Sequence, residues 1–187
     1  MKVLVTGANG QLGHDVVNEL RKRGHKAITS DIAGEMDYLL DITRKETVQK
    51  VEDINPDAII HCAAWTAVDA AEEEENKEKV YAINVTGTQN LVEAARKLNC
   101  KFLYLSTDYV FDGQGELPWK PDDTSYAPLC YYGQTKLEGE FSVSTLEKYF
   151  IVRIAWVFGL NGKNFIRTMI NVGKTHEEVR VVNDQIG

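Results

Sequence analysis

The feature that most constrains this chain is a glycine-spaced turn set between an apolar strand and an amphipathic helix. Lys2-Val3-Leu4-Val5-Thr6 is a short β-branched run of the kind a buried parallel strand needs. Leu12, Val16, Val17 and Leu20 then recur at helical spacing, and Gly24 follows Arg21-Lys22-Arg23 as a helix stop. Between them lies Gly7-Ala8-Asn9-Gly10-Gln11-Leu12-Gly13. At such a junction Gly7, Gly10 and Gly13 permit a tight turn, close approach of the backbone to a phosphate, and close packing of helix on strand. The free N–H groups and positive dipole end of the helix suit an anion. The corner therefore predicts a dinucleotide pyrophosphate, with Asn9, Gln11 and Leu12 beside it.

A second strand, Lys26-Ala27-Ile28-Thr29-Ser30, ends at Asp31, which lies 18 residues after Gly13. A dinucleotide-binding fold places its acceptor for the adenosine ribose hydroxyls near there. A 2′-phosphate would meet like charge at Asp31, and no Arg follows it directly, so NADH is favoured over NADPH. Nearby Lys or Arg side chains folding in would admit either cofactor.

Composition narrows the class. The chain has 187 residues, 43% of them hydrophobic, which suits one domain with a sizeable core. A formal charge of −7 offers no basic footprint for nucleic acid. Cys62, Cys100 and Cys130 are odd in number and lack metal-type spacing, so they read as reduced thiols of a cytoplasmic protein. Cys62 and Cys100 flank apolar runs and read as packing residues. There is no secretory leader and no apolar run of membrane-spanning length. The run Glu72-Glu73-Glu74-Glu75 reads as a solvated helix face, and no metal site is expected.

The remainder alternates strand and helix. Thr43-Arg44-Lys45-Glu46 has the form of a capping box opening a short helix whose inner face is Val48, Val51 and Ile54. Pro56-Asp57 breaks it, and residues 58–61 make the next strand. Val85, Leu91, Val92, Ala95 and Leu98 mark a helix, and residues 102–105 a strand. Residues 132–149 are predicted helical, 150–154 strand, 165–174 helix and 179–182 a last strand. This alternation predicts an α/β protein, a Rossmann-like doubly wound parallel sheet with helices on both faces. Ligands then gather outside the carboxyl ends of the strands. That rule selects His61-Cys62-Ala63-Ala64-Trp65-Thr66, Ser106-Thr107-Asp108-Tyr109-Val110-Phe111 and Ala155-Trp156-Val157-Phe158-Gly159. In the first, small residues let a cofactor lie on the backbone; Trp156 reads either as a core aromatic or as a cleft residue.

Tyr132 and Lys136 stand at i and i+4 and share one helix face. An ammonium beside a phenol should lower its pKa from about 10 towards working pH, so that it can donate and recover a proton. Lys136 could also bond the nicotinamide ribose, and a hydroxyl from Thr107 or Ser106 could hold a substrate carbonyl oxygen. The spacing favours Tyr132 over the adjacent Tyr131.

Four segments carry a resemblance: Gly7 to Gly13, the run from Ser106 through Thr107-Asp108-Tyr109-Val110-Phe111 to Gly113, Tyr132 to Lys136, and Val182-Asn183-Asp184-Gln185-Ile186-Gly187. Together the chain resembles the dTDP-4-dehydrorhamnose reductase family of extended short-chain dehydrogenases. Where dehydratases of the same fold follow the Thr-Asp pair with Glu, this chain has Tyr109, which disfavours dehydration. The resemblance implies that Thr107, Tyr132 and Lys136 are catalytic. It sets Asp108, Tyr109 and Trp156 near the substrate, and Asp31, Asp41, Ile42, Ala63, Ala64 and Thr66 along the cofactor, which Tyr132 and Lys136 also touch. The implied reaction is NAD(P)H-dependent reduction of the C4 ketone of dTDP-4-dehydro-L-rhamnose to dTDP-L-rhamnose, by a cytoplasmic protein for which a homodimer is one possible assembly. Family members continue past Gly187 into a portion that closes over the nucleotide sugar, so residues 1–187 read as the dinucleotide-binding domain alone. Two rival readings stay open: a non-catalytic cofactor-binding regulatory subunit, and a reductase or epimerase for another nucleotide sugar.

Overall fold

A computed structural model describes residues 1–114 and 117–182; the end of the fourth resembling segment, residues 183–187, lies outside them. Six strands carry the architecture: β1 (Lys2–Thr6), β2 (Lys26–Asp31), β3 (Tyr38–Leu39), β4 (Ala58–His61), β5 (Lys101–Thr107) and β6 (Tyr149–Ile154). Between and after them come α1 (Gln11–Lys22), α2 (Lys45–Val48), α3 (Lys50–Ile54), α4 (Val68–Ala71), α5 (Glu74–Tyr81), α6 (Gly87–Leu98), α7 (Tyr131–Val143) and α8 (Phe165–Gly173). A π-helical turn, Ala82–Thr86, joins α5 to α6, and a 3₁₀ turn, Asp108–Val110, follows β5.

All strand pairs are parallel, in the order β3-β2-β1-β4-β5-β6. The chain winds outward from β1 in one direction, then returns to β4 and winds outward in the other. The crevice where the order reverses, at the carboxyl ends of β1 and β4, is where such a sheet receives a ligand. The doubly wound fold expected from the β-α alternation is the one observed.

Strand alternation sorts the core. Leu4, Ile28, Ile59, Phe102 and Tyr104 face the layer that holds α2, α3, α6 and α7, and pack with Val48, Val51, Ile54, Leu91 and Val92. Val3, Val5, Ala27 and Ala58 face the other way, onto Val17 of α1. That second face is covered over β1, β2 and β4 only. On β5 and β6 it carries Leu103 opposite Phe150 and Leu105 opposite Val152, with Phe150 65% and Val152 39% exposed.

Three expectations are corrected. Thr43 does not cap α2: its hydroxyl donates to Asp41 Oδ1 at 2.7 Å, and Arg44 takes the cap position without a side-chain bond. A short side chain held by its own neighbour is no longer free to reach the helix. The helix over 132–149 stops at Val143, where the hydroxyls of Ser142, Ser144 and Thr145 turn back onto the carbonyls of Glu138, Phe141 and Ser142. Residues 179–182 form no strand; Val181 and Val182 stand exposed, with no strand beside them among the described residues.

Candidate active site

The glycine corner forms as its spacing demands. Gly7 has φ of +68°, and a Cβ there would sit 2.6 Å from Ala63 N, so only glycine fits against the segment leaving β4. A Cβ on Gly13 would collide with the Gly7 carbonyl, which explains the close packing of α1 on the loop. Gly10 precedes α1 with no side-chain cap, and the first turn holds no acid. The helix thus offers its leading N–H groups and dipole to a ligand.

Asp31 sits where the dinucleotide pattern expects it, with both oxygens engaged. Oδ2 accepts from Asn9 N at 3.1 Å and Oδ1 from Ile32 N at 2.7 Å, so the carboxylate also staples the glycine loop to β2.

The catalytic helix is seated by its own small residues. On α7 a Cβ at Gly133 would meet the Tyr109 carbonyl and one at Gly139 the Tyr104 hydroxyl, so both glycines let the helix lie close on β5 and its exit loop. Its first N–H groups find partners outside the helix: Tyr131 N donates to Glu72 Oε1 at 2.6 Å, and Gly133 N to Cys130 Sγ at 3.4 Å. One member of the glutamate run therefore holds the start of α7, while the run as a whole is exposed. The π-helical turn adds Asn84, whose side chain accepts from Trp65 N at 2.8 Å and donates to Thr135 Oγ1 at 3.1 Å. A buried asparagine thereby ties the loop after β4 to α7. An asparagine amid the apolar positions of residues 80–95 is the sequence signal for this tie.

These elements enclose a cleft of about 860 Å³ at the strand ends. Its walls include Gly7, Gly10, Gln11, Leu12, Gly13, Ala64, Thr66, Thr107, Asp108, Tyr109, Tyr132, Lys136 and Trp156. The expected catalytic group and the expected substrate residues therefore share one space with the glycine loop. Asn9, Asp31, Asp41, Ile42 and Ala63 do not line it. Asp41 is turned to Thr43, the Ile42 side chain is buried against Gly87, and Ala63 supports Gly7. Cys62 lines the cleft with its segment, and Lys163 and Leu129 line it although no motif in the sequence selects them. The half-buried Cys62 thiol is pushed up to about 12 by desolvation, which makes it a wall and not a nucleophile.

Tyr132 is 9% exposed, and its ring meets Tyr109 edge to face at 5.9 Å. Tyr131 points elsewhere, its hydroxyl 3.4 Å from the Lys77 carbonyl. Lys136 is buried, donates to Leu105 O at 2.7 Å, and stands 4.0 Å over the Tyr104 ring. The expected electrostatics are reversed here. Burial pushes the Tyr132 phenol up to about 12, with the nearby Thr107 hydroxyl, which donates to Asp108 Oδ1 at 3.0 Å, pulling the other way. Burial likewise pulls the Lys136 ammonium down to about 7. Desolvation is the largest cause of both shifts. Trp156 is 58% exposed and has φ of +54°, so it is a cleft residue in a left-handed conformation, not a core aromatic.

Beneath the cleft, His61 is fully buried and held down to about 3 by desolvation, hence neutral. Its Nδ1 lies 2.8 Å from Thr6 Oγ1 and its Nε2 3.1 Å from Thr88 Oγ1. Since the Thr88 hydroxyl donates to Asn84 O, it accepts from Nε2–H, which fixes the tautomer. His61 is a structural histidine. Among the described residues no three His, Cys, Asp or Glu side chains gather as for a metal, and no helix is long and apolar enough to cross a membrane.

The family model of the RmlD substrate binding domain matches residues 1–187. The chain belongs to the dTDP-4-dehydrorhamnose reductase (RmlD) family. A dTDP-4-dehydrorhamnose reductase of Aggregatibacter actinomycetemcomitans is 42% identical over 189 aligned positions, which take in 100% of this chain and 62% of that protein. Among solved structures, a dTDP-4-dehydrorhamnose reductase of Clostridium acetobutylicum superposes with a TM-score of 0.90 at 44% identity, covering 99% of this chain and 64% of that one. Another, from Bacillus anthracis in complex with NADP, superposes with a TM-score of 0.84 at 41% identity over 95% of this chain and 61% of that one. The chain thus spans less than two thirds of the length of these RmlD relatives.

Proposed function

We propose that residues 1–187 are the dinucleotide-binding portion of a cytoplasmic NAD(P)H-dependent reductase that converts the C4 ketone of dTDP-4-dehydro-L-rhamnose to the alcohol of dTDP-L-rhamnose. The observation that carries this reading is the meeting of the glycine loop, Thr107, Tyr132 and Lys136 in one cleft. The residues fit a dinucleotide: an uncapped helix start faces the cleft, and Ser106 on its wall carries a buried hydroxyl without a protein partner. The likeness to a relative solved with NADP supports the same reading. When bound, the dihydronicotinamide supplies a hydride to the ketone carbon.

Every other part of the reaction falls to this chain's own side chains. Tyr132 gives its phenolic proton to the ketone oxygen, Thr107 holds that oxygen by its hydroxyl, and the Lys136 ammonium stabilises the phenolate left behind until water reprotonates it. Asp108, Tyr109 and Trp156 flank the sugar, while Asp31, Asp41, Ile42, Ala63, Ala64 and Thr66 attend the cofactor. Asp31 favours NADH, and the whole protein acts as a homodimer. A portion closing over the sugar would exclude water and raise turnover above that of these residues alone.

The test follows NADH and NADPH fluorescence on titration with the protein, then addition of dTDP-4-dehydro-L-rhamnose. Binding followed by oxidation is expected, in the full-length protein if the 187 residues turn over slowly. Tyr132→Phe should keep cofactor binding and lower turnover by about 10²–10⁴-fold, the usual contribution of a general acid. Unimpaired oxidation by that variant would remove Tyr132 from its role.

A further inference from the structure

We infer that Glu140, clamped by Arg153, is a positioning residue whose fixed carboxylate supports the buried Lys136 ammonium, one helical turn away, at the floor of the cleft. Its catalytic consequence rests on the reductase reading above; its geometry does not. Tyr132, Lys136 and Glu140 follow one another at four-residue intervals along one face of α7, and Lys136 and Glu140 are 3% and 2% exposed. Nothing in the proposed reaction uses Glu140, and a carboxylate at that depth needs a reason.

Arg153 supplies the partner. Its Nε donates to Glu140 Oε1 at 2.9 Å and its Nη2 to Oε2 at 2.7 Å, a two-point pairing that fixes the carboxylate in position. A guanidinium does not lose its proton, so Arg153 keeps the positive end of this pairing. Arg153 also donates to Tyr126 Oη at 2.9 Å and lies 5.1 Å from both the Phe111 and Tyr126 ring centres. The pair therefore locks α7 to β6, three residues before Trp156, and to the aromatic segment that follows Thr107.

Of the groups around Lys136, Glu140 does most to oppose the cost of burying its charge. From β5 it meets the Tyr104 ring, whose hydroxyl is pushed up by burial; from β4 and the loop beyond come His61, held neutral, and Cys62, held as a thiol. Tyr132 on its own helix holds its proton, and Arg153 lies behind Glu140, directed at the carboxylate. Desolvation pulls Lys136 down and Glu140 pulls it back up, leaving it near 7. Without Glu140 the ammonium would be lost at neutral pH, and with it the support for the Tyr132 phenolate.

The test is NMR of ε-¹³C-labelled lysine in the purified protein, following the Lys136 signal through pH and assigning it with Lys136→Met. In Glu140→Gln the midpoint should fall by about one pH unit, leaving roughly tenfold less of the charged form above neutral pH. The double variant Glu140→Met/Arg153→Met replaces a buried ion pair by apolar groups, an exchange that often preserves stability. It should shift the midpoint the same way and keeps the test open if the glutamine variant fails to fold. Arg153→Lys retains the counter-charge and should restore the wild-type midpoint. A Lys136 midpoint unchanged in a folded variant lacking the carboxylate overturns the inference. A shifted midpoint in a protein that never oxidises NAD(P)H would instead overturn the reductase reading and leave the inference standing.

Discussion

At the scale of single side chains, burial acts on Tyr132 and Lys136 in opposite directions, and the lysine shift has a consequence for stability. Lys136 titrates near 7 in the folded protein, against an ordinary value of 10.5. Between those values the unfolded chain binds the proton and the folded one releases it, so stability rises with pH across that window. Below pH 7 the full cost is present. Lys136→Met should therefore stabilise the protein at pH 7 by on the order of 2–4 kcal/mol, and flatten the rise in stability between pH 7 and 10. Urea unfolding at several pH values reads both effects. A variant less stable than wild type at pH 7 would show that the lysine's contacts to Leu105 O and the Tyr104 ring outweigh its desolvation. The residue pair itself was legible from i, i+4 spacing and from its distance downstream of the glycine turn. The direction of the phenol's shift was not, because a sequence displays neighbours along a helix but not the depth at which they are buried.

At the scale of elements, α7 depends on donors satisfied from outside its own sequence. The Tyr131 N–H is held by Glu72, 59 residues earlier in the chain, across the gap between α4 and α7. Glu72→Ala should cost about 1 kcal/mol in urea unfolding, as loss of a helix-start acceptor and of an anion at the positive dipole end. No effect on stability would mean that water takes over the N–H without penalty. The strands were largely readable, since apolar β-branched runs bounded by turn residues carry their own signal. What escaped depended on partners distant in the chain or on local competition. The two-residue β3 exists only through its pairing with β2, Thr43 is captured by Asp41 before it can cap α2, and the hydroxyls at 142–145 end α7 early. Residues 179–182 have strand-forming side chains and, among the described residues, no strand beside them.

At the scale of the whole molecule, the two faces of the sheet are unequally covered. Over β5 and β6 one face lies under α7, whereas the other presents Leu103, Leu105, Phe150 and Val152 in register. Helix α8 follows β6 yet has no buried residue, and Ile166 and Ile170 are 44% and 53% exposed. Apolar surface of this kind takes up hydrophobic dyes. The 187-residue protein should bind anilinonaphthalene sulfonate at neutral pH while keeping near-UV dichroism and cooperative unfolding, which separates an open native face from a molten state. Dye binding should weaken in Phe150→Ser/Val152→Thr; dye binding unaltered by that change would place the dye elsewhere. A formal charge of −7 counters association through this face at low salt, and the protein should self-associate more readily as salt screens it.

Trp156 bears finally on which sequences can survive at its position. A side chain held at φ of +54° is disfavoured relative to glycine or asparagine. Selection for folding alone and selection for turnover should therefore disagree about this one codon. In a saturation library screened only for soluble expression, glycine, asparagine and aspartate should displace tryptophan at 156; in one screened for the proposed ketone reduction in the full-length protein, tryptophan should return. Enrichment of tryptophan under both screens would mean that its ring contributes to folding after all. The divergence of two lineages at a strained residue would then mark the binding site without any ligand having been seen.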